Sequence, residues 1–487
     1  MSRKEELLLK SYSRPIVLLK KSKEYYLSEY VAPGLHNIGV MLPYTGMHYM
    51  LFGLIKEPLV MTSLNVSGEP TVIGDDEALK TGFCDYLLVH NRRIVNRADD
   101  SVMRVVNDMP VFIRRSRGYV PLSVKLELSK LKNKTVLALG ADYSNVFAIY
   151  RNGKAWLSQY NGDIESIKSI EELEKNIKHF LKLFGLRRID YIACDLHPGF
   201  NTTKIAKMLA KMHNSKLISV QHHLAHFLSC IAEHNLSKAV GIVCDGYGYG
   251  YGMDGEAWGG EVFIYNGKGV KRIGHLERQA MIGLDMATRE PLRLAIAIMS
   301  KFMEDDEIRR FFPGIEQKIS VWLKQLEQQF NITYTTSCGR FLDAVAAVLG
   351  VCERRSYEGE PAMKLEGLAM KGNDRLDIRP RIKDEDSMHV LSTTDIFKQV
   401  IDYINDGCSK ADIALAVHKT VAQGLAKIAN RHKTKVDGNV CFTGGVAYNE
   451  IISKEIEERL GNVYRNEKVP CGDGGIALGQ VMGTMCL

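Results

Sequence analysis

Apolar residues recur along this chain in short runs cut by turn residues, and in longer stretches with helical spacing. Over residues 1–127 the runs RPIVLL, IGVMLPY, LVMTSLNV, DYLLVHN, SVMRVV and VFIRRSRG alternate with turn formers and predict a mixed α/β unit. LSKLKNK, at 128–134, reads as a linker. From Thr135 the rhythm changes to strand, tight loop, strand, an Asn152-Gly153 turn and strand, a strong hairpin signal. A helix over 171–183, the strand IDYIACD, a helix over 203–213, the strand KLISV and a histidine-bearing helix follow. Near Val240 the opening pattern returns: AVGIVCDGYGYG, a glycine loop, WGGEVFIYNGKGVKRI and an Asn266-Gly267 turn. Helices are then predicted over 286–303, 314–329, 340–349, 412–430 and 446–460, with the strand NVCFTGG before the last of these. Residues 135–487 therefore read as a duplicated α/β unit with lobes of roughly 135–237 and 238–487. The two lobes are expected to face each other across a cleft, with both glycine loops pointing into it.

Composition narrows the possibilities. The net charge of +7 over 487 residues is modest; it permits weak contact with nucleic acid without predicting it. The apolar runs are too short to span a bilayer, so no membrane partner is expected. The opening MSRKEELLLK has no extended apolar segment of a secretion signal. None of the ten cysteines forms a C-x-x-C pair, which removes zinc-finger spacing. Cys194, Cys244 and Cys441 lie in strand-like runs and read as buried free thiols, which fits a reducing cytoplasm.

The stretch VQHHLAH at 220–226 carries the most chemistry. In a helix starting near Gln221, His222 and His226 differ by about 40° around the axis and share a face, while His223 points roughly 100° away. Asp245 ends the following strand, and Asp473 stands in CGDGGIALG before the last helix. Two imidazoles and two carboxylates suit a divalent metal, zinc or ferrous iron. A polar helix face with Asp-Gly turns is the alternative reading.

Three glycine-rich loops offer backbone N–H groups to phosphate: Gly246, Gly248, Gly250 and Gly252 among tyrosines, Gly140–Asn145 with Asp142, and FTGGVAYN at 442–449. In the last of these, Gly444 and Gly445 follow a strand and precede a helix, and Asn449 is placed to bond a ribose or phosphate; a plain turn is the alternative. In SYEGEPAMKLEGLA, Glu358 and Glu366 are candidate acceptors for ribose hydroxyls, against capping or a solvated face. In the first unit, Ser63, Asn65 and Ser67 are small donors, and Arg104, Arg114, Arg115 and Arg117 are forks for phosphate or carboxylate; surface arginine packing is the alternative.

VQHHLAH, CDLHPGF, DGYGYGYGMDGEAWGGE, GRFLDAVAAVLG, YEGEPAMKLE, FTGGVAYN and GDGGIALGQ, in this order, resemble the HypF carbamoyltransferases of NiFe-hydrogenase maturation. RPIVLL, IGVMLPYTGMHYMLF, LVMTSLNVSGEP, HNR, DDSVMRV and IRRSRGYVP resemble the YrdC-like domain of the same family. The resemblance implies a partial YrdC-like α/β domain followed by a two-lobed ASKHA (actin-like) domain. It implies that ATP and carbamoyl phosphate give carbamoyl-adenylate, whose carbamoyl group passes through an internal cleft to the C-terminal cysteine of a HypE-like partner. It places His222, His226, Asp245 and Asp473 on metal positions, and Gly444, Gly445, Asn449, Glu358 and Glu366 on nucleotide contacts. Ser63, Asn65, Ser101 and Arg104 fall on the YrdC-like nucleotide and carbamoyl site, and His197 on a substrate contact in catalysis. Family members also carry an acylphosphatase domain, paired C-x-x-C zinc fingers and a fuller YrdC-like domain. The expectation is that a separate polypeptide supplies these parts or that the chain is a truncated product. Ser144 stands where the family usually has lysine, which weakens phosphate binding by the first hairpin. Related enzymes with the same metal helix carbamoylate small-molecule hydroxyls or threonylcarbamoylate tRNA, and a non-catalytic nucleotide-binding maturation partner is a third possibility.

Overall fold

The structure, a computed structural model, describes residues 1–251 and 256–486. Gly252, the last glycine of the tyrosine–glycine run, lies outside the described residues. Its strands form three sheets.

The first sheet orders Asn37–Val40, Ile16–Lys20, Val102–Val106 and Met109–Arg114 side by side. Two of the apolar runs, LVMTSLNV and DYLLVHN, form no strand. A strand needs a neighbour to satisfy its N–H and C=O groups, and this sheet ends at Asn37–Val40. Their apolar residues, among them Val60, Met61, Leu88 and Val89, stay exposed.

The second sheet begins with an antiparallel meander, Thr135–Ala138, Ala148–Arg151 and Lys154–Leu157. Tyr191–Asp195 and then Lys216–Val220 add in parallel on the other edge of Thr135–Ala138. The third sheet repeats this order with a long meander, Ala239–Tyr249, Ala257–Tyr265 and Val270–Leu276, and parallel Val440–Thr443 and Val463–Tyr464. The shared order, three antiparallel strands followed by two parallel ones, is the duplicated ASKHA architecture. Asn152 and Gly153 take positive φ at the first meander's turn, as an Asn-Gly hairpin demands.

Two elements cross the sequence order. Ser123–Lys125, which precedes the linker, joins the second sheet by pairing with Lys154–Leu157. The last helix, Ile476–Cys486, packs on helix His222–His234 and on the second sheet, and Gln480 bonds both the N–H and the C=O of Gly140. Gly479 permits this close crossing, because a Cβ there would stand 1.7 Å from the Ala225 carbonyl.

Most predicted helices form, with shifted ends that have local causes. The segment 286–303 splits into Met286–Arg289 and Leu292–Met299 at Pro291, which cannot donate to a preceding turn. The helix expected from Val446 starts at Glu450, because Asn449 caps it after a short 3-10 turn over Gly445–Tyr448.

Candidate metal and nucleotide site

Strand Lys216–Val220 runs parallel to Tyr191–Asp195, pairing Val220 with Asp195. The chain then turns at Gln221, whose side-chain oxygen accepts from the Leu224 N–H at 2.9 Å and caps helix His222–His234. His222 and His226 thus occupy the first turns of a buried helix. Asp245 reaches them from the third sheet, and Asp473 from a 3-10 turn, Asp473–Gly475. One ligand atom from each of the four lies within 4.8 Å of the others. Nε2 of His222 is 3.2 Å from Asp245 and 3.5 Å from Asp473; Nε2 of His226 is 3.3 Å and 3.4 Å from the same carboxylates. Yet the buried His226 Nε2 makes no directed hydrogen bond. Two imidazole nitrogens and two carboxylate oxygens, one nitrogen unsatisfied, fit the donor set of zinc or ferrous iron.

The electrostatics agree. Burial opposes protonation of His222, but Asp473, Asp195 and Asp245 outweigh it and raise its pKa well above the usual imidazole value. His226 is raised in the same way by Asp245 and Asp473 against its burial. Despite burial, the histidines hold Asp245 far below the ordinary carboxylate range and Asp473 below it. Without an ion, protons supply the positive charge this cluster demands; a divalent cation competes for the same lone pairs. His223 stays outside the cluster, 4.0 Å from Asp245 at its nearest. Burial, and then the charge on His222, push it down to about 3, so it is neutral.

The tyrosine–glycine run is a correction to the sequence reading. Gly246 and Gly248 are not a free phosphate loop; strand pairing continues to Tyr249 across a bulge between Cys244 and Gly248. The glycines make room for rings. A Cβ on Gly248 would lie 2.4 Å from His223 and 2.8 Å from His222, and one on Gly250 would lie 2.4 Å from Trp258. The Gly140–Asn145 loop is also committed to structure, since Asp142 accepts from the N–H groups of Asn201 and Thr202 and caps the helix Asn201–His213.

The third loop abuts the cluster. Gly444 takes φ +94°, and a Cβ there would be 2.3 Å from the Cys244 carbonyl. The Gly445 N–H donates to Oδ1 of Asp245 at 3.0 Å, so the glycine loop and the histidine–aspartate cluster share a carboxylate. Asn449 spends its side-chain oxygen capping the next helix through Ile452 N–H, leaving only its amide NH₂ for a ligand. Glu358 lies on an exposed turn just before helix Glu360–Ala369. Desolvation, and then the charges of Asp473, Asp245 and Asp163, push its carboxyl up to about 7, with Arg340 opposing.

Other candidates have different partners. Glu366 is not open to a ribose. It is 3 % exposed and takes a forked contact from Arg104, with Nη2 at 2.9 Å and Nη1 at 3.2 Å. Arg104, expected at a nucleotide site in the first unit, is thereby used up between the two units. Ser101 is buried, donating to the Arg117 carbonyl and accepting from the Ser116 N–H. Ser63 donates to Asn65, which closes its own turn onto the Val66 and Glu69 carbonyls. Arg115 holds the Tyr119 and Leu122 carbonyls, Arg117 pairs with Asp100 and Arg114 lies over the Tyr160 ring at 4.3 Å, so each of these guanidiniums has a partner within the first two units. His197 stacks on Phe200 at 4.3 Å, and its Nδ1 accepts from the Gly199 N–H. Desolvation lowers its pKa against the pull of Asp195. The neutral ring therefore carries its proton on Nε2.

Three residues had no assigned role in the sequence. Asp195 lies 2.8 Å from Nδ1 of His222; the signal was a strand ending in a carboxylate beside the strand that leads into the histidines. Arg340 is buried against Asp343 at 2.7 Å with its Nε unpaired, and GRFLDAVAAVLG carried it. Tyr448 holds the Gly472 N–H on its hydroxyl at 2.9 Å.

Known proteins match this arrangement along the chain. Residues 131–233 match the HypF Kae1-like domain, residues 241–480 the second subdomain of the carbamoyltransferase Kae1-like domain, and residues 1–116 the Sua5/YciO/YrdC model described as telomere recombination. A probable carbamoyltransferase HypF of Methanocaldococcus jannaschii is 41% identical over 98% of this chain, and the chain spans 62% of that relative's length. The crystal structure of T. kodakarensis HypF superposes on all of this chain with a TM-score of 0.94 at 40% identity, with 65% of that protein covered. A full-length HypF in the phosphate- and nucleotide-bound form gives a TM-score of 0.91 at 36% identity, with 76% of it covered. With motifs, duplicated lobes and an adjoining YrdC-like unit all in the same order, the chain belongs to the HypF carbamoyltransferase family.

Proposed function

We propose that this chain moves a carbamoyl group from carbamoyl-adenylate to the C-terminal cysteine thiol of a HypE-like protein in hydrogenase maturation. One observation carries the reading: His222, His226, Asp245 and Asp473 converge beside a glycine loop that donates to Asp245. When bound there, a divalent ion supplies Lewis acidity toward a carbonyl oxygen. The chain's own groups do the rest. Asp195 keeps the proton of His222 on Nδ1 and its Nε2 lone pair on the cluster. Gly444 and Gly445 let backbone approach the adenylate phosphate. The Nε2–H of His197 is left to donate to the substrate. In the transfer, the acceptor thiol loses its proton to solvent, its sulfur bonds the carbamoyl carbon, that carbon's bond to the adenylate oxygen breaks, and AMP departs. Burial of the histidines keeps water from the activated ester.

The first unit exposes Leu54, Val60, Tyr86 and Leu88, each at least 80% accessible. Large apolar side chains exposed to this extent are ordinarily covered. In this reading it is covered, in the working enzyme, by the parts of the longer relatives that the chain does not match, and carbamoyl-adenylate is made from ATP and carbamoyl phosphate only then. The buried free thiols fit a reducing cytoplasm.

The test supplies carbamoyl-adenylate directly, with zinc or ferrous iron and a peptide ending in cysteine. Mass spectrometry should show a carbamoyl group on the cysteine with the wild-type chain and none with His226→Ala. Equal yields from both would refute the reading.

A further inference from the structure

We propose that Tyr448 and Arg104 are positioning residues that hold Asp473 in the ligand cluster, so that docking of the first unit sets metal affinity. The proposal rests on the metal reading above. Asp473 sits in a short turn with no side-chain cap; the residues leading into it are held by the Thr443 hydroxyl, which donates to the Cys471 carbonyl at 3.2 Å, and by two contacts from the glycine loop. The Gly444 N–H donates to the Cys471 carbonyl at 3.1 Å, and the Gly472 N–H donates to the Tyr448 hydroxyl at 2.9 Å. Gly472 immediately precedes Asp473. The fit against the tyrosine ring is close: a Cβ on Gly472 would lie 3.2 Å from the ring edge and the hydroxyl.

Tyr448 is held in turn by the first unit. Nη1 of Arg104 donates to the Tyr448 carbonyl at 2.9 Å while the same guanidinium forks onto Glu366. The Oε1 of Glu366 accepts from the Glu450 N–H at 2.8 Å, pinning the residue two places beyond Tyr448. Arg104 is 7% exposed and emerges from the central part of the first sheet. A continuous path therefore runs from Val102–Val106 through the guanidinium, the Tyr448 backbone and its phenol to the residue before Asp473. The contact of Asn107 with Glu457 across the same interface, at 2.9 Å, does not touch this path. Outer-shell partners of metal ligands typically change affinity by about 10- to 100-fold when lost.

The test is zinc affinity of the full chain, read by competition with a chromophoric chelator, together with the visible spectrum of the cobalt-loaded protein. Tyr448→Phe, which keeps the ring and removes the one hydroxyl, should weaken zinc binding about tenfold and change the cobalt bands. Arg104→Lys, which keeps the charge and loses the fork, should weaken it in the same direction. Asn107→Ala should match wild type. If wild type binds no zinc, the metal reading itself fails. If wild type binds and Tyr448→Phe is indistinguishable in affinity and spectrum, this proposal alone fails. An effect of Asn107→Ala equal to that of Arg104→Lys also overturns it, because general docking would then suffice. Should Arg104→Lys not fold, Tyr448→Phe decides.

Discussion

Oδ2 of Asp195 lies 2.8 Å from Nδ1 of His222, with both side chains fully buried. A carboxylate only accepts, so the imidazole holds a proton on Nδ1, and Nε2, facing Asp245 and Asp473, is the nitrogen that gives up its proton to an ion. The strand pairing of Val220 with Asp195 sets this contact, because the histidine helix leaves directly from that register.

Asp195→Asn therefore removes the acceptor without changing the shape. An amide that donates to Nδ1 moves the proton to Nε2, the atom needed for the ion. Zinc affinity should fall by about 10- to 100-fold, while the far-ultraviolet circular dichroism stays unchanged. An Asp195→Asn chain with wild-type affinity would remove Asp195 from the site.

Gly248 makes a second, steric prediction. An alanine methyl there meets the His223 ring at 2.4 Å and the His222 ring at 2.8 Å. Neither ring has space to retreat, since both are buried. Gly248→Ala should destabilise the chain by about 1–3 kcal/mol and weaken zinc binding as His222 is displaced. Thermal unfolding and chelator competition measure the two effects. A variant with unaltered zinc affinity would show that the strand, and not the ring, yields.

Much of this was legible in the sequence, and the misses share causes. The i, i+4 spacing of His222 and His226 and the repeated meander signals identified the lobes, because helical phase and Asn-Gly turns are local properties. Residues whose roles depend on a distant partner were opaque. Arg104 and Glu366 are 262 positions apart and look like ligand-binding groups until their fork is seen. The glycines at 246 and 248 look like a phosphate loop; only packing shows that Gly248 clears two histidine rings. The apolar runs near Val60 and Leu88 have strand-forming residues and no neighbouring strand to pair with.

Glu358 supplies a pH prediction. Its carboxyl is raised from 4.5 to about 7 by desolvation first and by Asp473, Asp245 and Asp163 next. The folded chain thus keeps a proton that the unfolded chain releases above 4.5. As pH rises from there to about 7, ionising this group costs the folded state stability, and above 7 the cost is constant. Glu358→Gln, neutral throughout, should unfold at higher temperature than wild type above pH 7, with the difference gone near pH 4.5. A difference of the same size at both pH values would contradict this.

The central claim is that His222, His226, Asp245 and Asp473 hold one divalent ion. Metal content of the purified chain after equilibrium dialysis against zinc or ferrous iron tests it most directly. One ion per wild-type chain is expected, and none in His226→Ala or Asp473→Ala chains of unchanged circular dichroism. No ion in wild type, or a full equivalent retained by both variants, would contradict it.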